Sequence, residues 1–113
     1  MHRLRQKPQA VSDVALPRGA TLLIARAQER GFAVRVMPSH GHLKGALVEH
    51  VAVRLRRGNV LLAAFYENGR YRGGVCVSPD AARLGSGELT ALVDSDDLAA
   101  DLAALLEKRR AAK

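Results

Sequence analysis

The segment from residue 47 to residue 77, LVEHVAVRLRRGNVLLAAFYENGRYRGGVCV, decides the fold of this chain. Two turn dipeptides, Gly58-Asn59 and Asn68-Gly69, divide it into three runs rich in valine, leucine and aromatic residues. Asn-Gly favours a two-residue hairpin turn because both central positions need a positive φ, and Gly-Asn is a weaker form of the same signal. The segment therefore predicts a meander of three antiparallel strands, over residues 47–57, 60–67 and 70–77.

The two turns also predict the pairing register, because the residues that flank a two-residue loop become partners. Counting outward places Phe65 opposite both Ala52 and Arg72. Side chains alternate between the two faces of a strand. The predicted core face holds Val51, Val53, Leu55, Leu62, Ala64, Tyr66, Tyr71, Val75 and Val77. The predicted opposite face holds Ala52, Arg54, Arg56, Leu61, Ala63, Phe65, Arg72, Gly74 and Cys76.

A helix and a further strand are predicted before the meander. The helix covers residues 17–30, because proline suits a first helical turn and Gly31 suits the left-handed position that ends a helix. Residues 32–37 alternate in the manner of a strand, and PSHGHLKG, residues 38–45, is typical of a loop.

A last helix is predicted over residues 96–110, where Asp94 or Ser95 can act as its cap. Residues 80–94 have no clear pattern: the first part suggests a helical turn, and the second a short strand or the approach to a helix. The predicted fold class is α+β, with an antiparallel β-meander of about four strands and an N-terminal and a C-terminal helix packed on one face.

Length and composition restrict the class of protein. A chain of 113 residues with 48% hydrophobic residues suits one domain with a real core, here residues 17–113. Residues 1–16 are predicted to be a flexible basic arm. Cys76 is the only cysteine, which excludes an internal disulfide and fits a cytoplasmic location. The sequence has no apolar run near the roughly 18 residues that a membrane span needs.

The net charge of +7 is unevenly distributed. Residues 1–72 contain 13 Arg and Lys against 4 Asp and Glu, a net +9, whereas residues 73–113 contain 5 against 7, a net −2. Such a distribution indicates either a basic face that a polyanion can use or a solvated surface that serves solubility.

The arginine-bearing face of the meander is the candidate binding site. Arginine contacts phosphates and base edges, and an aromatic side chain among arginines can stack on a base. We expect a non-enzymatic protein without cofactor or metal that binds DNA or RNA through this face. The candidate residues are Arg54, Arg56, Phe65 and Arg72, with Arg35, Arg57 and Arg70 at the edges.

Two other interpretations of this face stay open. It can be an ordinary solvated face, in which a Phe65–Arg72 cross-strand pair simply stabilises the sheet. It can also be a protein interface, for a partner protein or a second copy of the chain, with Leu61 and Phe65 as apolar anchors.

The loop residues Ser39, His40 and His42 raise a catalytic or metal-binding alternative. Zinc needs more ligands than a single His-x-His supplies, and no recognised spacing provides them. A helix, an Arg-Gly-Phe, a strand and then Ser39-His40 resemble the start of HicA-type mRNA interferase toxins over residues 20–42. That resemblance implies an RNA endonuclease with His40 as its catalytic residue, although the family's Gly-Ser-His is Pro-Ser-His here.

A broader resemblance concerns residues 48–77, with VAVRLRRGNV and FYENGRYRGGV. In length, strand spacing and turn placement this segment is similar to small uncharacterised proteins of high-GC actinobacteria and their phages. The resemblance implies an accessory protein, of phage or bacterial origin, that works by binding and not by turnover. Beside nucleic-acid binding, modulation of a host protein is the alternative expectation.

Overall fold

The computed structural model describes residues 16–43 and 45–112. The helices are α1 (Arg18–Glu29), α2 (Ser86–Val93) and α3 (Leu98–Ala111). The strands are β1 (Ala33–Leu43), β2 (Ala46–Arg57), β3 (Val60–Glu67), β4 (Arg70–Ser78) and β5 (Ala82–Leu84). The strands form one antiparallel sheet in the order β1-β2-β3-β4-β5. The predicted α+β class with flanking helices is therefore confirmed. The predicted basic arm lies, except for Leu16, outside the described residues.

Both hairpin turns lie where the sequence predicts them, but only Asn68-Gly69 has the predicted geometry, since in Gly58-Asn59 the first residue alone has a positive φ. Asn68 and Gly69 have φ of 48° and 84°, as the Asn-Gly turn requires, and Gly58 has φ of 62°. The β2–β3 register follows directly: Arg57 pairs with Val60 and Ala52 with Phe65, both as predicted. Local turn chemistry is thus sufficient to set the pairing of the two central strands.

The predicted register of β3 and β4 is wrong beyond the turn. Tyr66 pairs with Tyr71, but Phe65 pairs with Gly73, so Arg72 is an extra residue in a β-bulge. Gly73 adopts φ of 156°, a conformation that side chains rarely take, and this glycine makes the bulge possible. The bulge exchanges the faces of residues 74–76, so that Cys76 is 1% exposed in the core and Val75 lies on the opposite side. A second register shift, between Leu61 and Leu62, leaves Val77 without a pairing partner on β3 and 47% exposed.

The segment predicted as a loop over residues 38–45 is largely strand. β1 continues to Leu43 and pairs with β2 up to Ala46. Pro38 is tolerated because β1 is an edge strand, where a missing N–H removes no bond to a second neighbour. Pairing with β2 therefore overrides the turn-like composition of the segment.

The poorly patterned residues 80–94 contain β5 and α2. The interpretation of residues 80–84 as a helical turn is wrong, since β5 adds an edge strand beside β4. α2 begins at Ser86, where the Glu88 carboxylate accepts the Gly85 N–H at 2.8 Å. α3 begins after Asp97, whose side chain accepts the Ala100 N–H, so the cap lies two to three residues later than predicted.

All three helices contribute to one core on one side of the sheet. α1 ends as predicted at Gly31, with Phe32 N–H donating to Ala27 O at 2.9 Å and the Phe32 ring buried. The core joins Ile24 of α1, Leu89 of α2 and Leu98 of α3 to the sheet. The sheet residues of this core are Val36, Val53, Leu55, Val60, Leu62, Ala64, Tyr66, Cys76 and Leu84. We call this side the core face and the opposite side the outer face. Within the described ranges, no helix is long and apolar enough to span a bilayer.

Candidate nucleic-acid interface

The outer face is the side of the sheet that the described helices leave uncovered. Strand alternation and pairing place its side chains on one surface that crosses all five strands. Its central residues are Arg35, Met37, Ala52, Arg54, Arg56, Leu61, Ala63, Phe65, Glu67, Arg72, Gly73, Val75 and Arg83. With Arg70, which pairs with Glu67, the outer face carries six arginines and one carboxylate, that of Glu67. The outer face is therefore strongly positive.

Three of these arginines form a compact group that we call the arginine triad: Arg35, Arg54 and Arg56. Arg35 pairs directly with Arg54 across β1 and β2, and Arg56 is the next residue along β2 on the same face. Together with Ala33, Val34 and Leu61 the triad lines a shallow depression. Like charges directly opposite each other destabilise a sheet, by up to about 1 kcal/mol per pair. The chain thus keeps an arrangement that costs stability when no anion is present.

Most of the ion-paired arginines lie on the helical side of the molecule. Five ion pairs form among residues 16–43 and 45–112, and four of them involve helix arginines: Arg26, Arg30, Arg109 and Arg110. The fifth joins Arg72 to Glu67 at 3.4 Å on the outer face. None of these pairs includes a residue of the arginine triad. The triad guanidinium groups are therefore not neutralised by carboxylates of the described chain.

Phe65 lies in the middle of the outer face, on the central strand, and is 42% exposed. Its cross-strand partners are both small, Ala52 on β2 and Gly73 on β4. The predicted Phe65–Arg72 cross-strand pair is absent from the described structure, because the bulge places Gly73 opposite the ring and Arg72 pairs with Glu67. The ring consequently presents its surface to solvent.

The other predicted edge residues divide between the two sides. Arg70 is exposed on the outer face beside the β3–β4 turn. Arg57 is not part of this face: its guanidinium lies 5.8 Å from the centre of the Phe32 ring, on the core side. The prediction for Arg57 was wrong because strand alternation from Leu55 already places it with the core.

Two contributors to the outer face were missing from the sequence prediction. Arg83 of β5 pairs with Val75 and so lies on this face, but its three-residue strand has too short a pattern to be predicted. Met37 of β1 pairs with Ala52 and is 41% exposed. Alternation along β1 was a usable signal for Met37, and none existed for Arg83.

Cys76 does not contribute to the outer face. Cys76 lies in the core, its Sγ is 3.3 Å from Ser78 O, and burial raises the pKa of the thiol. It is therefore a structural thiol. The hypotheses that involve the side chains of His40 and His42 concern atoms outside the described part of the structure. Among described side chains, no group of three or more His, Cys, Asp or Glu could hold a metal ion.

No protein-family model, curated protein or solved structure matches this chain. Function must therefore be inferred from the geometry and charge of the outer face.

Proposed function

We propose that the protein is a non-enzymatic nucleic-acid-binding protein and that its outer face is the contact surface. The observation that carries this proposal is the arginine triad, three adjacent cations that no carboxylate of the described residues neutralises. A phosphate backbone would remove the repulsion between Arg35 and Arg54 and release its own counterions. Arg83 and Arg70 extend the positive surface to the edge of the sheet and to the β3–β4 turn.

The test compares two triple variants that lose the same net charge. The first replaces the triad, Arg35→Gln, Arg54→Gln and Arg56→Gln. The second replaces three exposed arginines of the helical side, Arg18→Gln, Arg26→Gln and Arg110→Gln. Binding to a DNA duplex, a DNA single strand and an RNA is measured by fluorescence anisotropy over a range of salt concentrations.

We expect the triad variant to bind far more weakly and to show a shallower salt dependence. The slope of log K against log salt should fall by about 2 to 3, since each phosphate contact contributes about 0.7 to 0.9. The helical-side variant should keep most of its affinity, because those arginines face away from the contact. Equal losses in the two variants would show that only the overall charge matters and would refute a defined site.

A second candidate function is protein binding through the same face. It is favoured by the exposed apolar side chains of Met37 and Phe65, which are 41% and 42% exposed. Apolar anchors dominate protein interfaces, whereas phosphate contacts weaken steeply with salt. If no nucleic acid binds at low salt, and a partner captured from cells is lost on Phe65→Ala but not on added salt, protein binding replaces our proposal.

A further inference from the structure

The position of Phe65 allows the class of nucleic acid to be inferred, given the proposed function. Phe65 lies on β3, the third strand of five, so two strands separate it from either edge of the sheet. Neighbouring strands lie about 4.8 Å apart, which makes the face about 19 Å wide. The major groove of B-DNA is only about 12 Å wide. The face is thus too wide to enter the major groove of an undistorted duplex, whose bases are stacked on one another and do not offer their faces to the ring.

The surroundings of Phe65 leave its ring free for stacking. Ala52 and Gly73 flank it across the strands, and Ala63 precedes it by two residues on the same face. Within residues 16–43 and 45–112 the one guanidinium that lies over an aromatic ring is that of Arg57, over Phe32 and not over Phe65. No described guanidinium therefore occupies the position that a base would take, and the ring is 42% exposed.

One residue of the arginine triad, Arg54, lies close to the Phe65 ring on the neighbouring strand. Arg54 pairs with Ala63, which makes Arg54 a diagonal neighbour of Phe65. The Cα atoms of diagonal neighbours lie about 7 to 8 Å apart. A single strand that lies across the face can therefore place a phosphate on the triad and an adjacent base on Phe65. Proteins that bind single strands combine these two features, a positive track and aromatic stacking.

We propose that unpaired bases stack on Phe65, so that the outer face binds single-stranded nucleic acid in preference to duplex. The preference rests on the proposed function, because it requires the phosphates to be held by the triad. Stacking requires no hydrogen bond to a base edge, because every base offers a π-face to the ring. Affinity for different single-stranded sequences should consequently vary little.

The experiment separates the contribution of bases from that of phosphates. Short oligothymidylate is compared with an oligonucleotide of the same length built from abasic sites, which has the same phosphates without bases, and with a duplex. Each probe is titrated against the wild type, Phe65→Ala, Phe65→Trp and the control Leu22→Ala. Leu22 is the most exposed large apolar residue of the described chain, 62% exposed, and lies on α1, on the side of the sheet away from the outer face.

The wild type should bind oligothymidylate more tightly than the abasic strand or the duplex. Phe65→Ala should weaken oligothymidylate binding by about 5- to 150-fold per stacked base and leave abasic binding nearly unchanged. Phe65→Trp should retain the preference for bases, and Leu22→Ala should change nothing. Thermal melting of each variant verifies that it is folded.

Two results would overturn the stacking inference alone. The first is that Phe65→Ala weakens the binding of oligothymidylate and of the abasic oligonucleotide equally, and the second is that the wild type prefers the duplex. In both cases a triad-dependent affinity would leave the proposed function intact. Absence of binding to every probe at low salt would instead refute the proposed function, and the stacking inference with it.

Discussion

At the scale of single residues, Gly74 shows how closely the core face is packed. A Cβ at this position would lie 2.6 Å from the Tyr71 hydroxyl oxygen and 3.3 Å from Ala63 O. The Tyr71 ring packs edge-on against Tyr66, with 5.6 Å between ring centroids. Its buried hydroxyl has no hydrogen-bond partner among the described residues, and burial, followed by the charge of Glu88, raises its pKa.

We expect Gly74→Ala to lower the free energy of unfolding by about 1 to 3 kcal/mol, because the added methyl group must displace the Tyr71 side chain. Adding Tyr71→Phe should recover much of this loss, since it removes the oxygen that the methyl group meets. Urea denaturation measures both changes. Gly19→Ala is the control: nothing lies within 4 Å of its Cβ, and alanine in α1 should be neutral or stabilising by up to about 1 kcal/mol. Full stability in Gly74→Ala would show that the tyrosine moves freely.

Between elements, Glu88 connects the start of α2 to the end of α3. Its Oε1 accepts the Gly85 N–H at 2.8 Å and forms an ion pair with Arg109. The Gly85 N–H, followed by the Arg109 guanidinium, lowers the pKa of this carboxyl below its usual 4.5. A carboxylate with a lowered pKa stabilises the folded state above the unfolded-state pKa, and this contribution is lost as the pH falls through the folded-state pKa.

Glu88→Gln should therefore destabilise the protein at neutral pH, by about 1 kcal/mol or less because the pair is partly exposed. The difference from the wild type should shrink below pH 4.5 and vanish once the carboxyl is protonated. Denaturation at a series of pH values measures it. Glu107→Gln, which breaks an exposed pair within α3, should cost only a few tenths of a kcal/mol. A pH-independent difference for Glu88→Gln would rule out the charge as its cause.

The turns and strand registers differ in how far the sequence predicts them. Asn68-Gly69 and Gly58-Asn59 impose their geometry locally, so three strands and the β2–β3 register followed from them. Gly73 permits the bulge without requiring it, and only packing of Tyr71 and Cys76 in the core selects the shifted register. Arg54 and Arg56 could be assigned to the outer face, but the opposition of Arg54 to Arg35 depends on the β1–β2 register. The loop-like composition of residues 38–45 did not predict that register.

At the scale of the whole molecule, Cys76 reports on global stability. The thiol is 1% exposed at the centre of a core to which all three helices contribute, so fraying of an end or a loop does not reach it. We expect a thiol reagent to modify Cys76 only through global unfolding. The labelling rate should therefore rise with urea with the same slope as the equilibrium unfolding curve. A substantially weaker urea dependence would indicate that β4 and β5 open locally.

The division of charge between the two sides of the sheet has a consequence for kinetics. Seven of the eleven side-chain carboxylates lie between residues 80 and 107, in the region of α2 and α3, whereas the arginine triad, Arg70 and Arg83 lie on the outer face. The molecule therefore has a permanent dipole across its thickness. The field of a polyanion would exert a torque on this dipole and turn the outer face towards the polyanion before contact, which would raise the fraction of productive encounters. Dissolved salt would weaken that alignment, so the association rate, and not only the equilibrium affinity, should decrease as the ionic strength increases.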